Sequence, residues 1–179
     1  MLPERRDPDY TFGTNPCSEI ILRGNTKTGS GGGQFCNLTE VVARANDTLQ
    51  TLEEKIVMAT ILGTLQSCLT DFKFLRAGWK NNCEEERLLG VSLTGIYDCK
   101  FLYNAKGEEL EKLKEVAVKT NQIWANKLKI NPSAAITCVK PSGTVSQLCN
   151  SSSGIHPRYS SFYRRAVRGD KKDPISQLL

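Results

Sequence analysis

The feature that most constrains the fold is the alternation of short apolar runs with two long amphipathic segments. In residues 52–75, apolar side chains recur every three or four positions, and the same spacing returns in residues 108–129. This period places the apolar side chains on one face of a helix, so both segments are predicted to be helical. At the start of the first predicted helix, Thr51 and Glu54 have the spacing of a capping box. Asn131 and Pro132 provide a stop after the second helix.

The short apolar runs have the length and composition of strands. They lie at residues 19–22, 34–43, 87–96 and 134–139, and the run at 34–43 could instead begin a helix. Strands that alternate with helices are typical of a parallel sheet or barrel with helices outside it. With 179 residues, of which 39% are hydrophobic, the chain can form one core. The sequence therefore predicts an α/β fold and no separate second domain in residues 1–179.

Charge and hydropathy limit the function classes. Twenty-four Lys and Arg against 19 Asp and Glu give a net charge of +5, which suits an anionic ligand without requiring a nucleic acid. No apolar run approaches the roughly 20 residues that cross a bilayer. The charged, proline-containing start does not resemble a signal peptide. We therefore expect a cytoplasmic protein (in the host cytoplasm if it is phage-encoded) with no membrane partner.

The cysteine pattern argues against a structural metal or disulfide framework. The chain has seven cysteines, no Cys-x-x-Cys pair and one histidine, His156. A structural zinc site uses four closely spaced Cys or His ligands, so we expect no metal site within the chain. A secreted disulfide scaffold does not fit a chain without a signal peptide. We expect some thiols to be buried as small apolar groups and one or two to take part in chemistry.

Asn15, Cys17 and Glu19 occupy alternate positions in Asn-Pro-Cys-Ser-Glu. In an extended segment, alternate residues point to the same side, so one substrate could contact the amide, the thiol and the carboxylate. A turn with a buried cysteine is the alternative, and these five residues alone favour it. Cys36 follows Cys17 by 19 positions, beyond a glycine-rich loop. Two adjacent strands could bring both thiols to one cavity, or Cys36 could be a core residue.

A second candidate site follows the last predicted strand, in the sequence Pro-Ser-Gly-Thr-Val-Ser. Gly143 permits close approach of a ligand to the backbone, and hydroxyl groups flank it; the candidate residues are Ser142, Gly143, Thr144, Val145 and Ser146. If a helix begins here, its free N–H groups form an anion site. The segment lacks the P-loop pattern, and an ordinary capped turn is the alternative.

Residues 158–165 combine arginines with aromatic side chains. Such a run could bind single-stranded nucleic acid by stacking and phosphate contacts. We favour a half-buried strand with a basic solvated face. His156, in the polar turn before this run, is interpreted as structural.

Five stretches, taken together and in order, resemble the catalytic subunit of ribonucleotide reductases, most closely the adenosylcobalamin-dependent (class II) ribonucleoside-triphosphate reductases. The stretches are Thr-Asn-Pro-Cys-Ser-Glu-Ile at 14–20, Phe-Cys-Asn-Leu-Thr-Glu-Val at 35–41, Gly-Val-Ser-Leu-Thr-Gly-Ile at 90–96, Lys-Pro-Ser-Gly-Thr-Val-Ser-Gln-Leu at 140–148 and Ser-Ser-Gly-Ile-His-Pro-Arg at 152–158. They span nearly the whole chain.

The resemblance implies part of a ten-stranded α/β barrel with an internal finger loop that carries Cys17 at its tip. The adenosylcobalamin radical would be passed to Cys17 as a thiyl, which would abstract the 3′ hydrogen of the ribose. Glu19 would take the 3′-hydroxyl proton while Asn15 bonds to the sugar. Cys36 would be one of two thiols that end as a disulfide, and residues 142–146 would hold the substrate phosphates.

The resemblance also implies that several parts lie outside this chain. They are the second reducing cysteine, the allosteric site, much of the cobalamin surface and a C-terminal cysteine pair. We therefore expect a central-to-late segment of the barrel domain, with little or no turnover alone. Its expected partners are a nucleotide substrate, the remaining segments of the subunit and a thioredoxin-type reductant.

Two alternatives remain open at this point. The first is a fragment of an oxygen-dependent class I large subunit, which receives its radical from a second protein. The second is a non-catalytic nucleic-acid-binding module, whose salt-sensitive binding would disappear when Arg164 and Arg165 become Ala. We do not expect a nucleic-acid partner.

Overall fold

A computed structural model describes residues 6–25, 29, 31–164 and 166–178. The strands are β1 (Phe12–Thr14), β2 (Ile21–Arg23), β3 (Asn37–Val42) and β4 (Leu89–Thr94). The helices are α1 (Leu49–Gln66), α2 (Ala77–Glu86), α3 (Lys100–Asn104), α4 (Gly107–Leu128), α5 (Val145–Leu148) and α6 (Pro174–Leu178), with a 3₁₀ turn at Ile96–Asp98.

The strands form two small sheets. β1 and β2 pair as an antiparallel hairpin, and β3 and β4 pair in parallel with Leu38 opposite Gly90. The α/β class predicted from the sequence is confirmed. The described residues contribute only these strands and one isolated parallel bridge, between Val91 and Thr137, so the ten-stranded barrel stays a proposal.

The β3–β4 sheet separates a helical side from a hairpin side. The side chain of Leu89 faces α1, where it lies against Gly63. The next residue, Gly90, faces the other way, toward Ile20 and Cys138. Because neighbouring residues of a strand point to opposite faces, this sheet presents its second face to the hairpin.

The main core lies on the helical side, where α1 and α4 cover the sheet. Its fully or nearly fully buried residues are Val41, Ala43, Leu52, Ile56, Ala59, Leu89, Val91, Cys99, Leu102, Leu113 and Ala117. A buried polar contact also joins the helices: Asn121 of α4 donates to the hydroxyls of Thr64 at 3.0 Å and Ser133 at 2.9 Å. The Ser133 amide donates back to Asn121, which fixes the start of the segment that follows α4.

The first predicted helix is correct in kind and wrong in extent. It begins at Leu49 with Thr48 as its N-cap and Thr51 completing the capping box, so Thr51 and Glu54 are not the capping pair. It ends at Gln66 instead of continuing to residue 75. Thr60 and Thr64 bond to carbonyls of the preceding turn, and Ser67 bonds to the Thr64 carbonyl. Such hydroxyls compete with the helix ladder, which favours an end at this point.

The other predicted elements divide in the same way. The helix at 108–129 is confirmed as α4, and the strands at 34–43 and 87–96 are confirmed as the shorter β3 and β4. Helices α2 and α3 were not predicted, because α2 has few apolar residues and α3, with five residues, is too short to show a helical period. Residues 134–139 are not a continuous strand, but part of the segment runs beside β4. The Leu89 and Val91 amides donate to the carbonyls of residues 135 and 136, and Thr137 forms the parallel bridge to Val91.

The basic aromatic run was predicted to be a half-buried strand, and this is wrong. Residues 158–164 contain no strand, and the side chains of Tyr159 and Phe162 are both 92% exposed. A short segment forms a strand only beside a partner, and no described strand pairs with this one. Arg165 lies outside the described residues. In the described part of the chain, no helix combines the length and apolar character that crossing a bilayer requires.

Candidate functional site

The candidate cysteine lies at the tip of the β1–β2 hairpin. Residues 15–20 connect the strands, with the Ser18 amide donating to the Asn15 carbonyl at 2.9 Å and Ser18 in the left-handed region at φ 62°. Cys17 is exposed at this tip. The segment is therefore a turn and not extended, so the predicted alternation of side chains is wrong.

The turn brings Asn15 and Glu19 together more directly than an extended segment would. The Asn15 amide nitrogen donates to Glu19 Oε2 at 2.5 Å, and its amide oxygen accepts from the Ile20 backbone at 3.0 Å. Both polar atoms of Asn15 are thus engaged within the tip. In this state Asn15 orients Glu19, two residues from the Cys17 thiol.

Glu19 also contacts Lys140, which the sequence argument did not single out. Lys140 Nζ lies 3.6 Å from Glu19 Oε1, and the Glu19 side chain is only 2% exposed. Burial alone would raise the pKa of this carboxyl, but the Asn15 hydrogen bond, the Glu19 backbone amide and the Lys140 charge outweigh it and hold the pKa below its usual value. Glu19 is therefore a carboxylate at neutral pH and can accept a proton.

Cys36 lies just before β3 and close to the same charged groups. Burial, and then the charges of Cys138 and Glu19, raise the pKa of Cys36 to about 12. The pKa of Cys138 is raised to about 11, by burial first and then by Glu19. Both groups are therefore protonated thiols at neutral pH. The sequence predicted that Cys17 and Cys36 could share one cavity. The structure places Cys36 near Glu19 and also near Cys138, which the sequence did not single out.

The predicted phosphate segment is a tight turn that leads into α5. Ser142 is 3% exposed, with φ 54°, and Ser146 is 1% exposed, whereas Gly143, Thr144 and Val145 face solvent. Among the described contacts, the amides of these three exposed residues have no backbone acceptor. Helix α5 has only four residues, so a helix dipole contributes little here. The exposed amides are what the turn offers to an anion.

The Ser142 hydroxyl is already engaged. It donates to Glu40 Oε2 at 2.6 Å, and the Thr94 hydroxyl donates to the same oxygen at 3.0 Å. The Ser146 hydroxyl is buried without a hydrogen-bond partner among the described residues. Ser142 therefore fixes the turn to β3, and a ligand would meet backbone amides and Thr144 first.

A buried ion cluster fixes the base of the hairpin. Arg6 and Arg23 both pair with Glu86 of α2, at 2.8 and 2.9 Å, and each of these side chains is at most 2% exposed. Arg6 also donates to the Ile21 carbonyl at 2.6 Å, and Gln34 donates to Glu86 at 2.6 Å. The base of the hairpin is therefore held to α2, while its tip is exposed.

The residues of this region can be compared with what a metal ion and a cofactor require. Within the described residues, no three His, Cys, Asp or Glu side chains come together in a way that could hold a metal ion. For adenosylcobalamin, the relevant observation is that Cys17 is exposed at the end of the hairpin. A radical source held by another part of a protein could therefore reach its sulfur, and in this respect the residues present fit the cofactor.

Sequence reasoning missed three residues of this region: Lys140, Glu40 and Cys138. Each lies inside or beside a stretch already singled out, since Lys140 immediately precedes Pro141 and Glu40 lies four positions after Cys36. For Glu40 the available signal was a charged residue inside a predicted strand, and for Lys140 it was a charged residue next to a glycine-containing turn. Cys138 had no comparable signal. Spacing alone does not say which partner such a charge has.

Comparison with known proteins supports the same assignment. The chain is 28% identical over 202 aligned positions to the adenosylcobalamin-dependent ribonucleoside-triphosphate reductase of Lactobacillus acidophilus, covering 96% of this chain and 25% of that protein. It is 26% identical over 198 positions to the protein of that name from Lactobacillus leichmannii, covering 93% and 25%. The one from Euglena gracilis is 26% identical over 183 positions, covering 96% and 23%.

A solved structure gives the same result for the fold. The crystal structure of a B12-dependent (class II) ribonucleotide reductase superposes with a TM-score of 0.60 at 23% identity, covering 83% of this chain and 23% of that one. No family model matches the chain. The chain thus spans about a quarter of the length of the curated relatives it matches. The resemblance predicted from the five stretches is confirmed.

Proposed function

We propose that this chain, which is similar over nearly its whole length to one quarter of the adenosylcobalamin-dependent ribonucleoside-triphosphate reductases, is the catalytic segment of such an enzyme. The observation that carries the proposal is the hairpin tip. It presents Cys17 beside an Asn15–Glu19 pair, and Glu19 contacts Lys140, two positions before the 142–146 turn. The reaction would reduce a ribonucleoside triphosphate to the deoxyribonucleotide and water.

The residues of the tip have complementary roles in this proposal. A thiyl at Cys17 abstracts the 3′ hydrogen of the ribose, and the Glu19 carboxylate accepts the 3′-hydroxyl proton. Asn15 keeps the carboxylate in place and can exchange its bond for one to the sugar. A general base must be unprotonated at working pH, and the lowered pKa of Glu19 meets that condition.

The reducing equivalents would come from thiols. Loss of the 2′-hydroxyl as water requires two electrons and two protons, and two thiols supply them as they form one disulfide. We assign Cys36 as one of the two, with the second from the remaining segments of the subunit. Its pKa of about 12 keeps it as a thiol that can give both proton and electron. A thioredoxin-type reductant would restore it.

The turn at 142–146 would set the register of the substrate. We assign Ser142, Gly143, Thr144, Val145 and Ser146 to the phosphate end, with the exposed amides as the donors and Ser142 holding the turn to Glu40. Fixing the phosphates positions the ribose relative to Cys17, and such positioning contributes much of the rate of a bound reaction.

The cofactor and the missing segments belong to the same proposal. When bound, adenosylcobalamin supplies the organic radical that a thiol cannot generate alone. The full subunit would complete a ten-stranded barrel in which the hairpin is the internal finger loop and residues 1–179 form one domain segment. Enclosure would also keep water and other reductants from the thiyl. We propose that the enzyme acts in the cytoplasm, without membrane or nucleic-acid partners.

The test combines the chain with the remaining segments of the subunit, a ribonucleoside triphosphate, adenosylcobalamin and a dithiol. We expect formation of the deoxyribonucleotide, measured by chromatography, and its loss in Cys17→Ser. The matched control is Cys68→Ser, also an exposed cysteine but at the end of α1, which should retain activity. Product formation by Cys17→Ser would overturn the role of Cys17. Product formation when a class I radical-generating protein replaces cobalamin would favour a class I origin, and normal turnover by the chain alone would overturn the segment assignment.

A further inference from the structure

Lys140 joins the two halves of the candidate site. Its ammonium lies 3.6 Å from Glu19 Oε1 on the hairpin, and its backbone leads directly into Pro141 and the 142–146 turn. The Lys140 side chain is 23% exposed and that of Glu19 is 2% exposed. Among the described contacts, it is the direct side-chain link between the tip and the segment that begins the turn.

The two oxygens of Glu19 have different partners. Oε2 accepts from Asn15 at 2.5 Å, within the hairpin, and Oε1 faces Lys140, from outside it. A carboxylate this well buried is costly unless a charge or several hydrogen bonds compensate it. Asn15 is neutral, so Lys140 supplies the compensating charge and also defines the direction of the second oxygen.

The other charged or titratable groups around Glu19 do not replace Lys140. Cys36 before β3 and Cys138 beside β4 interact with the Glu19 charge, and both are neutral thiols at neutral pH. Glu40 of β3 acts on Cys138 and is itself negative. Arg6 lines a small cavity with Glu19, but its guanidinium is engaged by Glu86 at 2.8 and 3.0 Å.

The backbone of Lys140 is held on its other side. Gly154 packs so tightly against the Lys140 carbonyl that an added Cβ would lie 2.0 Å from the carbonyl oxygen. The Gly154 amide donates to the Pro141 carbonyl at 3.1 Å, and the Ser153 hydroxyl donates to the same carbonyl. The ammonium therefore extends from a fixed backbone, which makes it a defined anchor for the hairpin tip.

We propose that Lys140 is a positioning residue that fixes the Glu19 carboxylate relative to the 142–146 turn. A nucleotide held by its phosphates at the turn then presents its ribose to Glu19 and Cys17 at a set distance. This inference rests on the proposed function, because it assigns Lys140 a part in the same reaction. It gives Lys140 no contact with the reacting atoms.

The first experiment does not depend on catalysis. The Glu19 carboxyl is titrated by ¹³C NMR in the full chain and in Lys140→Met, Lys140→Arg and Lys119→Met. Lys119 is the control because it forms an exposed pair with Glu115 at 3.3 Å on α4. We expect an upward shift of the Glu19 midpoint in Lys140→Met, recovery in Lys140→Arg and no shift in Lys119→Met. An unchanged midpoint in Lys140→Met would overturn the inference.

The second experiment uses the enzyme completed with the remaining segments. Lys140→Met should lose about tenfold in kcat/KM and move the acid limb of the pH–rate profile upward, since the base protonates more readily. Lys140→Arg should restore the profile, which a merely structural role would not require. Equal profiles for wild type and Lys140→Met would overturn the role in catalysis. If wild type is inactive while the NMR shift is present, the proposed function fails and the Lys140–Glu19 coupling stands.

Discussion

The hydroxyl of Ser142 donates to the carboxylate of Glu40 at 2.6 Å, across 102 positions of sequence. This bond holds the candidate phosphate turn to the edge of β3, and the Thr94 hydroxyl donates to the same oxygen. Glu40 therefore holds the turn to β3 through the Ser142 hydroxyl, while the exposed backbone amides of the turn remain accessible to a ligand.

Replacing Glu40 with Ala should destabilise the chain. The change leaves the buried Ser142 hydroxyl and the Thr94 hydroxyl without their acceptor, and an unpaired buried donor costs about 1–3 kcal/mol. The free energy of unfolding, measured in urea, should fall by that amount. Glu111→Ala is the matched control, because Glu111 pairs with Lys114 on the exposed surface of α4; such pairs contribute about 0–1 kcal/mol. Equal losses in the two variants would contradict the role of Glu40.

The thiols should react with iodoacetamide in a defined order. At pH 8 a pKa of about 12 leaves about one Cys36 in ten thousand as thiolate, and a pKa of about 11 leaves about one Cys138 in a thousand. Cys17 and Cys68 are exposed and should be alkylated first. Mass spectrometry of a time course should show Cys36 and Cys138 reacting faster by about tenfold per pH unit up to their pKa. Rapid labelling of Cys36 at pH 8 would show that its pKa is not raised.

Gly90→Ala should displace the hairpin from the sheet. The new Cβ would lie 2.5 Å from Leu38 Cδ2, 3.0 Å from Cys138 Sγ and 3.2 Å from Ile20 Cδ1. Overpacking of this kind costs about 1–3 kcal/mol, which chemical denaturation would detect. Gly107→Ala is the control, because no atom lies within 4 Å of its Cβ and Ala is the better residue in a helix. The packing would be refuted if Gly90→Ala were as stable as the control.

Stability should depend on Asp98 at acid pH. Burial would raise the pKa of this carboxyl, but the bonds from Arg158 and from the Ser152 amide outweigh burial and lower the pKa. The contribution to stability is therefore present above the unfolded pKa of about 4 and is lost as pH falls through the lower folded value. In Asp98→Asn this part of the acid dependence should disappear, as measured by thermal unfolding between about pH 3 and 6. An unchanged acid dependence would show that the pairing with Arg158 is not formed.

Cap residues and apolar spacing were sufficient to predict the bounds of α4 but not those of α1. The apolar face of α4 extends along the helix, and residues that start or stop a helix lie next to both ends. Its predicted bounds, 108–129, and its observed bounds therefore nearly coincide. The period of the first helix continued through Leu69, which the structure leaves 75% exposed. The apolar spacing therefore continued beyond Gln66 although Leu69 does not pack in the core.

The site was predictable to the same extent. Asn15, Cys17 and Glu19 were proposed from the resemblance of five stretches, because the five adjacent residues alone favoured a turn with a buried cysteine; the structure shows a turn in which Cys17 is exposed. The partners of Glu19 and Ser142 lie more than a hundred positions away from them, at Lys140 and Glu40. Pairings of that kind depend on how the sheet and the hairpin pack, which residue spacing does not encode.

The shared pairing of Arg6 and Arg23 with Glu86 limits how this chain can diverge. Replacing Glu86 alone would leave the buried Arg6 guanidinium without its carboxylate, whereas loss of either arginine leaves Glu86 paired with the other. A new residue at position 86 therefore requires a second change among the residues that pair with it. Relatives in which Glu86 is replaced should therefore also have lost an arginine at position 6 or 23. We therefore expect substitutions at these three positions to occur together.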